Sequence, residues 1–147
     1  MTVVMDVEEL NVFMRRAFPQ VADDFNVEEV GHDEVVVRLM VADRHLRPGG
    51  TVSGPSMFSL ADVTAYIATL SRIGPKALAV TTNCAIDFMR KPAANTDLIA
   101  KSRLLKVGRQ LAVIDVLIYS EGMEAPVARA NLTYSIPPVG SEADQAG

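Results

Sequence analysis

Between Pro55 and Ser71 the chain carries one charged residue, Asp62. Met57, Phe58, Leu60, Ala61, Val63, Ala65, Tyr66, Ile67, Ala68 and Leu70 surround it and cover nearly the whole circumference of a helix. A helix apolar on all sides belongs inside a protein. A carboxylate there loses its hydration, so it must stay protonated or find partners, since an isolated buried charge is very costly. Packing alone gives no reason for that cost. Acid–base or nucleophilic work by the carboxyl does. The competing account is a buried acid bonded to backbone or to hydroxyls such as Ser59 and Thr64.

The elements that must position Asp62 can be read along the chain. Asp6 and Glu9 have the spacing of a capping box, and Val7, Leu10, Phe13, Met14, Ala17 and Phe18 follow helical spacing until Pro19. Residues 25–30 and 34–41 alternate as two strands around a tight turn at Gly31–Asp33. The loop DRHLRPGGTVSG leads into the apolar helix, with Pro55 suited to its first turn and Gly74-Pro75 ending it. A strand follows near 77–89, then strands at about 97–107 and 110–120 turning on Gly108-Arg109. Glu121-Gly122 turns into a last strand, about 124–136, which Pro137-Pro138 ends.

This order is an α+β pattern, an antiparallel sheet curled around one long helix. The side of the helix that the sheet cannot cover needs a second subunit, so a dimer is expected. One domain spans residues 1–136, followed by a flexible tail, 137–147.

Composition narrows the function. The 147 residues carry net charge −4 with Lys and Arg scattered, which lacks the footprint of a nucleic-acid-binding protein. Cys84 is the one cysteine, which excludes an internal disulfide and a cysteine-based zinc cluster. It reads as a small core residue. His32 and His45 have no acids at ligand spacing, so no metal site is expected. No leader or membrane-spanning segment is evident, which makes cytoplasmic the default location.

GGTVSGPSMFSLAD, the strand AVTTNCAIDFMRKPA and the hairpin LLKVGRQLAVIDVLIY resemble the hotdog-fold acyl-CoA thioesterases of the PaaI-like group. The resemblance runs from about residue 25 to 136. It implies a hotdog fold, a curved antiparallel sheet wrapped around a long buried central helix. It also implies hydrolysis of an acyl-CoA thioester, with coenzyme A present as part of the substrate and no other cofactor. Such a protein is expected as a homodimer or a dimer of dimers. In the family a glycine at the helix start donates its N–H to the thioester carbonyl, and an acid eight residues later activates water or attacks. By position those roles fall on Gly54 and Asp62. Ser53-Gly54-Pro55 stands where the family commonly has His-Gly-Gly, and Arg47 where an Asn is frequent. Thr81 matches a hydroxyl at the start of the central strand.

Eight residues of helix span about 12 Å. One carbonyl cannot reach both the Gly54 N–H and the Asp62 carboxyl of the same helix. If both act on one bond, they come from different subunits, as a two-fold dimer allows.

Substrate contacts are expected from Arg47, Ser53 and Thr81, and from Arg90, Lys91 and Arg109, which could meet the phosphates of coenzyme A. Each has a plainer role: Ser53 caps the helix, the cations solvate loops and sheet edges, and Met57 and Met89 fill space. Two other functions stay open. An enoyl-CoA hydratase on this fold needs a His paired with an acid, and the central helix has no His. A non-catalytic acyl-CoA-binding module would be expected to lack the helical acid.

Overall fold

The Asp6–Glu9 capping box forms: the Asp6 carboxylate accepts from Glu9 N–H at 2.9 Å, and Glu9 accepts from Asp6 N–H at 3.1 Å. Helix α1 then runs Val7–Ala17 and buries Leu10, Phe13 and Met14. These details come from a computed structural model of the 147-residue chain, in which residues 2–138 are described. The tail expected at 137–147 therefore lies, from residue 139 on, outside the described residues.

Strands β1 (Phe25–Val30) and β2 (Glu34–Leu39) form the first hairpin, and helix α2 (Gly54–Ile73) follows. Strands β3 (Val80–Phe88), β4 (Leu98–Val107), β5 (Leu111–Ser120) and β6 (Pro126–Ser135) complete one antiparallel sheet in the order β1-β2-β4-β5-β6-β3. This is the hotdog arrangement, with α2 packed against β2, β3, β4, β5 and β6. Ala61, Ala65, Ile67 and Leu70 of α2 join Val37, Leu98, Ile114, Ile118 and Leu132 of the sheet in one core.

The later strands run slightly inside the ranges read from sequence, and at β2 and β3 other acceptors take the terminal amides. β2 ends at Leu39 rather than 41: Met40 N–H goes to Asp24 C=O at 2.8 Å and Val41 N–H to the Asp97 carboxylate at 2.9 Å. β3 begins at Val80 rather than 77, since Ala79 N–H closes a turn onto Lys76 C=O at 3.0 Å.

The two open sheet edges are treated differently. Asn11 of α1 both donates to Val27 C=O at 3.1 Å and accepts from Val27 N–H at 2.9 Å, so helix α1 covers the β1 edge. Among the described residues no helix covers the β3 edge on the other side. There Val80 is 57% exposed and Phe88 51% exposed. Both edges began with the same problem, and only one is solved within the chain.

Candidate active site

Helix α2 is buried all round from Val63 to Arg72, but its first half is not. Pro55, Phe58, Ser59 and Asp62 are exposed or half-buried and recur at helical spacing, making one uncovered stripe. Asp62 closes that stripe. It is half-buried rather than sealed in the core, which corrects the expectation drawn from the apolar run: β3 leaves this side of the helix open.

The Asp62 carboxylate is held from β3 and β6. Thr81 Oγ1 donates to Oδ1 at 2.5 Å and the Tyr134 hydroxyl donates to the same oxygen at 2.7 Å. The Tyr134 hydroxyl also lies 2.9 Å from the Asp62 backbone carbonyl. Ser59 and Thr64 are not its partners; Thr64 Oγ1 bonds back to Leu60 C=O at 2.6 Å, as threonines inside helices do. Burial first, and then the Asp62 charge, hold the Tyr134 hydroxyl far above the ordinary tyrosine range. It therefore stays protonated and remains a donor. Among the described residues no donor reaches Oδ2, so that oxygen is left for water or substrate.

The other end of the stripe is the start of α2. Ser53 caps it, its Oγ accepting from Ser56 N–H at 3.3 Å, and Pro55 follows in the first turn. Gly54 holds the first helical position, where an N–H has no carbonyl of its own helix to meet. That amide adds to the positive end of the helix dipole and suits a developing oxyanion. A Cβ on Gly54 would lie 3.6 Å from the Phe88 ring, an ordinary contact, so the space itself does not demand glycine.

The remaining expected residues separate into two groups. Arg90 and Lys91 follow Phe88 and are exposed at the Gly54 end of β3, where the Arg90 side chain also bonds Pro126 C=O. Arg109 lies in the β4–β5 turn, at the end of the sheet where Leu111 pairs with Ser135 and Ser135 with Val80, which is the Asp62 end. Within one protomer these cations do not converge. Arg47 is exposed in the turn before α2, where its backbone pairs with Thr51 and Gly50, and it does not line the cavity beside Asp62.

Cys84 is half-buried on β3 rather than in the core. Burial, then the nearby Asp62 charge, push its thiol above the usual range, which disfavours the thiolate. His45 is buried, with Nδ1 accepting from Ala42 N–H at 2.9 Å and Nε2 lying 3.2 Å from Asp24. It braces the loop before α2 through its carbonyl, which takes Ser53 N–H at 2.8 Å. Among the described residues no three His, Cys, Asp or Glu side chains cluster as metal ligands, and no helix is long and apolar enough to cross a membrane.

Tyr134 is the site residue that sequence reasoning missed. Nothing local marks it: it is one more inward residue of an alternating strand, and only the fold lays it against Asp62.

Comparison with known proteins supports the fold. The thioesterase superfamily matches residues 49–127, which include Gly54, Asp62 and Thr81 but not Tyr134. The crystal structure of a putative thioesterase from a Silicibacter species is 55% identical, with 94% of this chain and 96% of that one covered and a TM-score of 0.88. A mutant of the phenylacetic acid degradation protein PaaI from Thermus thermophilus is 28% identical over 81% of this chain and 99% of that one, with a TM-score of 0.69. A hypothetical thioesterase solved with coenzyme A from Streptococcus pneumoniae shares the fold at 22% identity, over 79% of this chain and 90% of that one, with a TM-score of 0.68. A search of curated proteins finds no match. With more than half of its length matched by the family and a relative sharing 55% of its residues, the chain belongs to the thioesterase superfamily.

Proposed function

We propose that the chain hydrolyses acyl-CoA thioesters at two sites shared across a homodimer, with Asp62 as the base and the Gly54 N–H of the partner subunit as the oxyanion donor. The observation that carries this reading is the Asp62 carboxylate itself. It is fixed through Oδ1 by two hydroxyls, and Asp62 lines a cavity. Oδ2 takes a proton from water as the water oxygen bonds to the acyl carbon. The carbonyl π electrons move onto oxygen, where an N–H at a helix start stabilises the charge. When the intermediate collapses, the C–S bond breaks and the thiolate leaves with the proton returned from Asp62. A carboxylic acid and free coenzyme A result.

The reading of shared sites rests on where the two groups touch β3. Gly54 lies against Phe88 at one end of that strand, and Asp62 bonds Thr81 at the other. Antiparallel pairing of two β3 strands about their middle residue, Cys84, would set the Phe88 end of one beside the Thr81 end of the other. Gly54 of one subunit would then face Asp62 of its partner. The same operation would bring Arg90 and Lys91 of one chain toward Arg109 of the other, which gathers cations for the phosphates of coenzyme A. Phe58, Phe88 and Met89, between 41% and 51% exposed, would be covered in that interface.

No histidine serves Asp62. His45 is occupied with Ala42 and Asp24, which disfavours a hydratase. A binding module without turnover has no use for a carboxylate oriented by two donors. Replacing Asp62 by Asn tests the proposal: release of free thiol from a panel of acyl-CoAs should fall by about a thousandfold, within the range typical of losing a general base. Full activity in Asp62→Asn would end this reading.

A further inference from the structure

We propose that the cavity beside Asp62 is the acyl pocket and that Phe18 of α1 sets the largest acyl group it accepts, an inference that rests on the thioester reading above. The cavity holds about 380 Å3 and has Asp62 and Thr81 on its rim. An acyl carbon within reach of water activated at Oδ2 must project its substituent along this opening. Val63, Tyr66, Val80 and Tyr134 also line it, as do Ala17 and Phe18 from the end of α1.

Depth limits the guest. Tyr66 stands one helical turn beyond Asp62, about 6 Å along the axis. There the Phe18 ring meets the Tyr66 ring edge-on, with centroids 5.9 Å apart and planes at 83°. Tyr66 is pinned by its hydroxyl on Ala77 C=O at 2.8 Å. Phe18 is pinned as the cap of α1, with its N–H on Met14 C=O at 2.9 Å. An extended chain advances about 1.2 Å per bond, taking three backbone bonds per ~3.5 Å residue. Six ångströms is then about five bonds, the reach of a hexanoyl group.

Width is less restrictive. A cavity of roughly 150 Å3 already takes benzene. The substrate class that fits is a compact acyl group, short and straight, branched or bearing one ring. Long fatty chains meet the Phe18–Tyr66 wall. Phe18 lies outside residues 49–127, so this limit is set by a segment beyond the part that matches the superfamily. A larger concavity, about 760 Å3, lies on the outer face of the sheet among Lys101, Arg103, Asp115 and Arg129, away from Asp62.

The test uses the full chain with acetyl-, hexanoyl-, decanoyl- and hexadecanoyl-CoA, read by thiol release, and with their non-hydrolysable thioethers, read by calorimetry. Wild type should lose about tenfold or more in kcat/KM between hexanoyl and decanoyl, the scale on which an apolar pocket discriminates. Phe18→Ala should raise decanoyl relative to hexanoyl turnover about tenfold. Ala17→Leu, which fills the pocket, should depress hexanoyl more than acetyl, and it decides the matter if Phe18→Ala does not fold. Hydrolysis indifferent to chain length, or a length profile that neither variant moves, overturns the pocket and leaves the thioesterase reading standing. Thioethers that bind with a Phe18-dependent limit while no thioester is cleaved uphold the pocket and overturn hydrolysis. Neither binding nor cleavage overturns both.

Discussion

The Tyr134 hydroxyl lies 2.7 Å from Asp62 Oδ1, joining the end of the last strand to the middle of the central helix. Tyr134 is 3% exposed, so this bond forms in a site with little competing water. It orients the carboxylate. Tyr134→Phe keeps the ring and removes the donor. kcat/KM should fall about tenfold, with KM nearly unchanged, because the base is left less well oriented. Thr81→Val should act in the same direction, and Thr81→Ser should restore most of the loss. A drop in melting temperature with kcat unchanged would reduce Tyr134 to a packing residue.

Gly54→Pro isolates the amide from the helix. Proline is favoured at a first helical position, and Ser53 already has the extended backbone, φ −75° and ψ 158°, that a residue before proline requires. The variant should fold and lose about a hundredfold in kcat, the usual effect of removing one oxyanion donor. Mixed with Asp62→Ala under subunit exchange, it should recover activity, because one of the two sites in each heterodimer keeps both groups. No recovery after proven exchange would place both groups in one chain.

The β3 edge should carry the dimer. In a Cys84→Ala background, Ala85→Cys puts one thiol near the strand centre, where antiparallel neighbours lie roughly 5 Å apart. A short bismaleimide should link most of the protein into covalent dimers, whereas Glu29→Cys, exposed on β1 at the opposite edge of the sheet, should give few. Sedimentation as a monomer at micromolar concentration would contradict this.

Asp24 links stability to acid. Burial alone would raise its carboxyl, but bonds from Arg44 and His45 together prevail and hold it below the usual 3.8. A depressed folded value means the contribution is complete above the unfolded value and is lost as pH falls through the folded one. The melting temperature should therefore decline more steeply below about pH 4 in wild type than in Asp24→Asn. Parallel curves for the two proteins would show that the pair contributes nothing.

Much of this protein is written along the chain. The capping box at Asp6 and Glu9, the helix apolar on every side and the turns at Gly31, Gly108 and Gly122 are local signals, since they depend on backbone preference and on the period of side-chain burial. The same period exposes Asp62 as an anomaly. Strand ends were less legible, because Met40 and Val41 pass their amides to Asp24 and Asp97, and no local pattern announces such a hand-over.

Tertiary structure decided what the anomaly means. Thr81 and Tyr134 reach Asp62 across 19 and 72 residues of chain, and Asn11 covers the β1 edge across 16. Contacts of that range follow from how a twisted sheet curls around the helix, which no window of sequence contains. The fold also showed that Arg109 and Arg90 lie at opposite ends of β3, and that one stripe of α2 stays uncovered. Periodicity tells which residues avoid water; only the closed sheet determines which polar groups meet where water is scarce.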